Sequence, residues 1–389
     1  MSLRQQLLAD LAEVDAQALR RARRSLETPC GPQVVVDGRP MLAFCSNDYL
    51  GLAGDPSLAA ALQAGAARWG AGSGASHLVS GHYAVHDELE RRLAAFTGTE
   101  RALYFSTGYM ANAGVTPALV ERGDAIFADR LNHASLVDGA RLSRAEFHRY
   151  PHKDLAALER LLASSTARRK LIVTDTVFSM DGDLAPLPEL LALAERFDAW
   201  LLVDDAHGFG VLGPHGEGAP AHFGLQPSWR LLHMGTLGKA AGVSGAFVAG
   251  EAQVIDWLLQ KTRTYIFTTG APPALAHALL ASLALIQAGG SRRAHLTGLI
   301  AILGARLQLK RWQLLDAPTP IQPVVIGDNA EALAVARALG EEGLWVPAIR
   351  PPTVPRGTAR LRISLTAAHT REDVERLASA LNRLEATWA

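Results

Sequence analysis

Cysteine is nearly missing from this 389-residue chain, which holds only Cys30 and Cys45. Two thiols make neither a disulfide framework nor a metal-ligand cluster, and they predict a reducing, cytoplasmic setting. Excess charge is missing as well: 38 basic residues face 38 acidic ones. That balance leaves no basic field to hold nucleic acid or an anionic membrane. Long apolar runs are absent too. The longest, Ala274–Ala288, is too short to span a bilayer and contains His277 and Gln287, so it predicts a buried helix. The first 24 residues mix charged and apolar side chains as an amphipathic helix does. They lack the apolar core and small-residue cleavage site of a secretion signal. No repeat or low-complexity segment is present. What remains is 49% hydrophobic and 20% charged, the profile of an ordinary soluble globular protein.

Lysine is the most telling scarcity. Of the 38 basic residues five are lysines (Lys153, Lys170, Lys239, Lys261 and Lys310) and 33 are arginines. Where only positive charge is needed, this chain uses arginine. Lys239 nevertheless stands in the glycine-rich stretch HMGTLGKAAG, His233–Gly242. A lysine amine can lose its proton and attack a carbonyl, which arginine at neutral pH cannot do.

From about Arg101 to Gly250 short β-rich runs alternate with helical ones. Strands are expected at Ala102–Ser106, Ala125–Ala128, Lys170–Asp175, Trp200–Asp204, Leu231–Met234 and Ala246–Ala249, with helices such as Asp154–Leu162 and Leu187–Phe197 between them. Continuous apolar strands in alternation with helices predict an α/β fold, a mostly parallel sheet covered on both faces. A long helical stretch from Pro273 to about Leu309 leads into a smaller α+β unit. The expected division is an N-terminal helix and hairpin segment (1–50), a large domain (51–288) and a C-terminal α+β domain (289–389). Ligands of such sheets bind at the carboxyl ends of the strands.

Gly208–Gly213, GFGVLG, matches the G-x-G-x-x-G pattern of nicotinamide-dinucleotide oxidoreductases. That fingerprint must open a helix, yet the helix-breaking PHGEGAP, Pro214–Pro220, follows, and no acidic residue stands about twenty positions on. The glycines make better sense beside VDDAH, Val203–His207. Asp204 ends an apolar strand and His207 follows at the sheet edge. A lysine that forms an imine, together with an aspartate facing a pyridinium, is the protein signature of pyridoxal 5′-phosphate (PLP). A phosphate needs backbone N–H groups at a helix start, which Ser106–Met110 offers around Gly108 and Tyr109; Thr236 adds a hydroxyl. His133, after another strand end, can stack on the ring, and Ser179 in VFSMDGD can bond its phenolic oxygen.

These motifs resemble the α-oxoamine synthases, PLP enzymes of the aspartate-aminotransferase fold (fold type I). The resemblance runs nearly end to end: SNDYLGL at Ser46–Leu52, GSGAS at Gly72–Ser76, LVSG at Leu78–Gly81, VFSMDGD, VDDAHGFGVLG and GTLGKAAGVSG. AIRPPTVPRGTARLRISLTAAH, Ala348–His369, is most particular to the branch that joins L-alanine to a pimeloyl thioester. The chain departs in small ways, with Cys45 where serine is expected and His77 within a glycine-rich segment. The resemblance implies loss of CO₂ and of the thiol carrier, either coenzyme A or acyl carrier protein. Glycine C-acetyltransferase is the neighbouring alternative. It implies roles for Lys239, Asp204 and His133 in catalysis, and for Gly108, Tyr109, Ser179, His207 and Thr236 at the cofactor. Arg20 (or Arg21), Asn47, His133, Thr353 and Arg362 would meet substrate, Arg362 through its carboxylate. Family members are homodimers, so Thr268 or Thr269 would reach a neighbour's phosphate.

Overall fold

Apolar runs become the seven strands of a central sheet: β1 (Arg101–Phe105), β2 (Ala125–Asp129), β3 (Glu146–Tyr150), β4 (Lys170–Asp175), β5 (Ala199–Asp204), β6 (Leu231–Thr236) and β7 (Ala246–Gly250). Their order is β1-β7-β6-β5-β4-β2-β3. β7 runs antiparallel to both neighbours, and the other pairs are parallel. The computed structural model describes residues 1–17 and 19–388. Six strands fall where the apolar runs predict them. The seventh, β3, reads EFHRY and lies at the sheet edge with four of its five residues at least partly exposed. An edge strand needs no continuous apolar run, so the sequence hid it.

The sheet belongs to the larger of two units, Asp48–Ser179 with Asp183–Arg293. Strand alternation sorts its side chains onto two faces. Leu171, Val173 and Leu202 pack on one side with Val115 and Leu119 of the helix Gly108–Leu119. Ile172, Leu201 and Val203 pack on the other with Leu158 and Leu190 from the helices Leu155–Ser164 and Leu187–Arg196. All are about fully buried, and each contributes roughly 1.5–3 kcal/mol. Asp175 and Asp204 end adjacent strands as register partners. The sheet therefore delivers two carboxylates to one edge. The apolar stretch at Pro273 forms a buried helix, Pro273–Ala288, and Gly289 interrupts the predicted long helix. Among the described residues no single helix is long and apolar enough to cross a membrane.

The smaller unit joins Met1–Asn47, Met180–Gly182 and the chain from Ala294 onward. Ile321–Gly327 and Ala359–Ser364 pair antiparallel at the centre of a four-stranded sheet. The N-terminal hairpin, Gln33–Val36 and Arg39–Ala43, adds Leu344–Trp345 as a parallel third strand. Ser364 also donates its N–H to the Phe44 carbonyl (2.8 Å). The helix Leu3–Ala16 forms with a Ser2–Gln5 capping box but buries none of its residues.

Candidate active site

The floor of the site is acidic. Asp204 and Asp175 are 4% and 3% exposed. Asp204 accepts from the Asn112 side-chain amide (2.6 Å) and the Ala206 N–H (3.0 Å). Burial pushes its carboxyl up, against the pull of Lys239, His133 and those two donors. Burial, and then the charge of Asp204, pushes Asp175 well above the usual carboxylate range. Two neighbouring buried carboxylates cannot both ionise unless a cation joins them. One wall is basic. The Lys239 amine lies 2.9 Å from His207 Nε2, and His207 Nδ1 lies 2.6 Å from the hydroxyl of Tyr49, which is fully buried.

His133 begins the helix Ala134–Ser143, and its N–H donates to Asp175 (2.6 Å). Its Nδ1 accepts from the Ser135 N–H (3.3 Å) and lies 2.7 Å from the Ser135 hydroxyl. Asn112 donates to that same hydroxyl (2.9 Å). A continuous line therefore runs from Asp204 through Asn112 and Ser135 to His133. It leaves the proton of a neutral His133 on Nε2.

Gly108 opens the helix Gly108–Leu119, which Thr107 caps by accepting from the Met110 N–H (3.2 Å). A Cβ at Gly108 would come within 2.6 Å of the Thr236 methyl, so a side chain there would collide with Thr236. Tyr109 is half exposed, and its hydroxyl donates to Asp138. Thr236 donates to the Ala206 carbonyl over a long 3.4 Å. Ser179 is half-buried in the turn after Phe178.

In the smaller unit Arg362 is buried, with Nη1 3.2 Å from Asn47 Oδ1 and 2.9 Å from the Ser364 hydroxyl. Two residues earlier Arg360 forms an ion pair with Asp181 (2.7 Å) and bonds the Met180 carbonyl. Arg20, Arg21, Arg350 and Thr353 line a groove of about 640 Å³ beside Leu11 and Val14. Arg20 also faces Asp15 at 3.6 Å. Burial pushes the Cys45 thiol up to about 12, so it stays protonated at neutral pH.

The class I and II aminotransferase family model matches residues 39–381. The 8-amino-7-oxononanoate synthase of Aromatoleum aromaticum is 77% identical over 380 residues, 98% of each chain. The chain belongs to the 8-amino-7-oxononanoate synthase family. Its fold is that of the fold type I PLP enzymes. A serine palmitoyltransferase variant from S. paucimobilis, solved with PLP and myriocin bound, has a TM-score of 0.91 at 29% identity over 98% of each chain. The 8-amino-7-oxononanoate synthase of Francisella tularensis has a TM-score of 0.76 at 30% identity, over 88% of this chain and 97% of that one.

The residues present fit the cofactor of this family. The paired buried carboxylates, on which Lys239 already pulls, form a floor where the positive charge of a pyridinium fits. The helix start at Gly108 suits a phosphate, and Lys239 offers the amine an aldehyde needs. Several members of the set escape a reading of motifs one at a time. Asp175 is visible only as an aspartate ending a strand beside Asp204. Asn112 sits one helical turn after Gly108, a spacing that turns both to one face. Tyr49 lies inside SNDYLGL without a chemical signal of its own. The dinucleotide reading of Gly208–Gly213 finds no support. The segment runs through turns into a four-residue helix, Ala219–His222.

Proposed function

We propose that this chain condenses L-alanine with a pimeloyl thioester, releasing CO₂ and the thiol carrier, to give 8-amino-7-oxononanoate for biotin biosynthesis. PLP, when bound, supplies an electron sink that stabilises the carbanion at the amino-acid Cα. The observation that carries this reading is the Lys239–His207–Tyr49 line beside the Asp204–Asp175 floor.

Lys239 would hold the cofactor in the resting enzyme, and its amine would serve as the base for the alanine Cα proton. His207, 2.9 Å away and itself held by the Tyr49 hydroxyl, would orient the Lys239 amine. Asp204 would hold a proton on the ring nitrogen, with Asn112 keeping that carboxylate aimed. His133 would face the cofactor, and its Nε2–H would donate to the incoming acyl carbonyl. Gly108, Tyr109 and Thr236 would hold the phosphate, and Ser179 would bond the phenolic oxygen. Arg362 and Asn47 would bind and orient the alanine carboxylate. Arg20 and Thr353 border the groove for the acyl chain, carried on coenzyme A or acyl carrier protein.

The working form is a cytoplasmic homodimer. Leu78, Val79 and Phe267 are exposed at 51%, 79% and 69%, and the Ser76–Thr269 bridge joins their two segments. A second copy covering this face would receive Thr268 or Thr269 at its phosphate. Competition between alanine with pimeloyl thioester and glycine with acetyl-CoA tests the substrate pair. We expect a strong preference for the first pair; preference for the second would assign glycine C-acetyltransferase chemistry instead.

A further inference from the structure

His152 lies outside the residues assigned above, yet both of its ring nitrogens meet carboxylates. Nδ1 is 3.1 Å from each oxygen of Asp129, and Nε2 is 2.9 Å from Asp183 Oδ2. An ionised carboxylate only accepts, so both nitrogens must carry protons. Each of these two aspartates in turn anchors one turn of the site, Asp129 through its carboxylate and backbone and Asp183 through its backbone. Asp129 accepts from the Leu131 N–H (2.8 Å) and its carbonyl accepts from the Asn132 N–H (3.2 Å), which fixes the turn leading into His133. Asp183 accepts the Phe178 N–H at its carbonyl (3.0 Å), closing the turn that carries Ser179. The His152 ring also stands edge-on to Phe178, 4.4 Å between centroids.

We propose that His152 is a positioning residue: as an imidazolium it ties the turn presenting His133 to the turn presenting Ser179 and so sets the gap in which the cofactor ring is held. This role rests on the PLP assignment of those two residues. The other charged and titratable groups around the tie are Lys153, whose amine lies 2.7 Å from Asp183 and whose N–H donates to Asp129 (2.9 Å), and Tyr150 and Asp175, which feel the charge of Asp129. Burial lowers the His152 pKa, but the bonds to Asp129 and Asp183 outweigh it and raise it to about 9. Burial raises Asp183, and His152 and Lys153 more than reverse this. A raised histidine pKa stabilises the fold fully below the ordinary 6.5, and that contribution is lost as pH climbs through about 9. The tie is therefore closed at neutral pH and opens in alkali.

Amide deuterium exchange on the full-length, PLP-loaded protein reads the tie directly, with His152→Gln as the variant. Residues 130–133 and 177–184 should exchange at least about tenfold faster together in the variant, as local opening allows. PLP affinity and kcat should fall about tenfold to a hundredfold with little change in the alanine KM, the scale of a misplaced group. In the wild type the same two turns should loosen together near pH 9, a step the variant lacks. That pH series also serves if the variant does not fold. Loosening of one turn alone, an ordinary imidazole pKa for His152 by NMR, or loosened turns with unchanged PLP affinity and kcat would each overturn the proposal. Failure of the PLP assignment itself looks different: the wild type would carry no cofactor on Lys239.

Discussion

Asp204 and Asp205 leave the same strand end and meet opposite surroundings. Asp205 accepts from the Thr176 hydroxyl, the Ala219 N–H (3.0 Å) and His233 Nε2 (2.9 Å). Gly208 and Gly218 fold around it so closely that a Cβ at either would come within 2.1 or 1.9 Å of its oxygens. Asp204 instead shares a buried floor with a second carboxylate, and burial holds its pKa raised against the pull of Lys239 and His133. A buried carboxylate met by protein donors is architecture. One set beside another carboxylate, with a lysine acting on both, is a place for a cationic ligand.

The comparison breaks most sharply at the lysine. Lys239→Ala should retain weak PLP binding through Gly108, Tyr109 and Thr236 yet give no measurable turnover in a product assay. Asp204→Asn should keep its fold, shown by an unchanged melting curve, while kcat falls by about three orders of magnitude, as for a group acting in the transition state. Asp205→Asn should do the reverse. It disturbs a buried network and should cost about 3 kcal/mol in urea unfolding, with kcat per folded molecule little changed. If the two aspartate variants exchanged phenotypes, the roles assigned here would be inverted.

Smaller effects extend the contrast to other charges. Arg362→Ala should raise the alanine KM about tenfold, the loss of one charge-assisted bond, and slow Cα–deuterium exchange in parallel, measurable by NMR without acyl donor. Arg360→Ala should leave both rates closer to wild type, because Arg360 is paired with Asp181. Smallest is the acid response of His77 and His86. Burial, then neighbouring histidines, lowers both to about 4. A depressed histidine pKa gives stability that is full above 6.5 and lost as pH falls toward 4. Replacing His86 by Gln should flatten that limb of the urea midpoint against pH.

The sequence carried this contrast only in part. Lys239 was legible because lysine is scarce and this one lies among glycines. Asp204 was legible because it ends an apolar run. The fold was legible because parallel strands buried on both faces leave continuous apolar stretches. What stayed hidden depends on register and on long-range pairing. Asp175 matters because β4 and β5 align it with Asp204. Tyr49 meets His207 across 158 residues of chain. Asn112 shows its purpose only once Asp204 and Ser135 flank it. Nothing in PHKD marks His152 as the link between two turns, since its partners lie 23 and 31 residues away.

The most direct test of the account is borohydride reduction of the PLP-loaded protein, followed by peptide mapping. The protein should absorb in the visible, lose that band on reduction, and carry the cofactor on Lys239. Cofactor fixed instead on Lys153, Lys170, Lys261 or Lys310, or on no lysine at all, would contradict this.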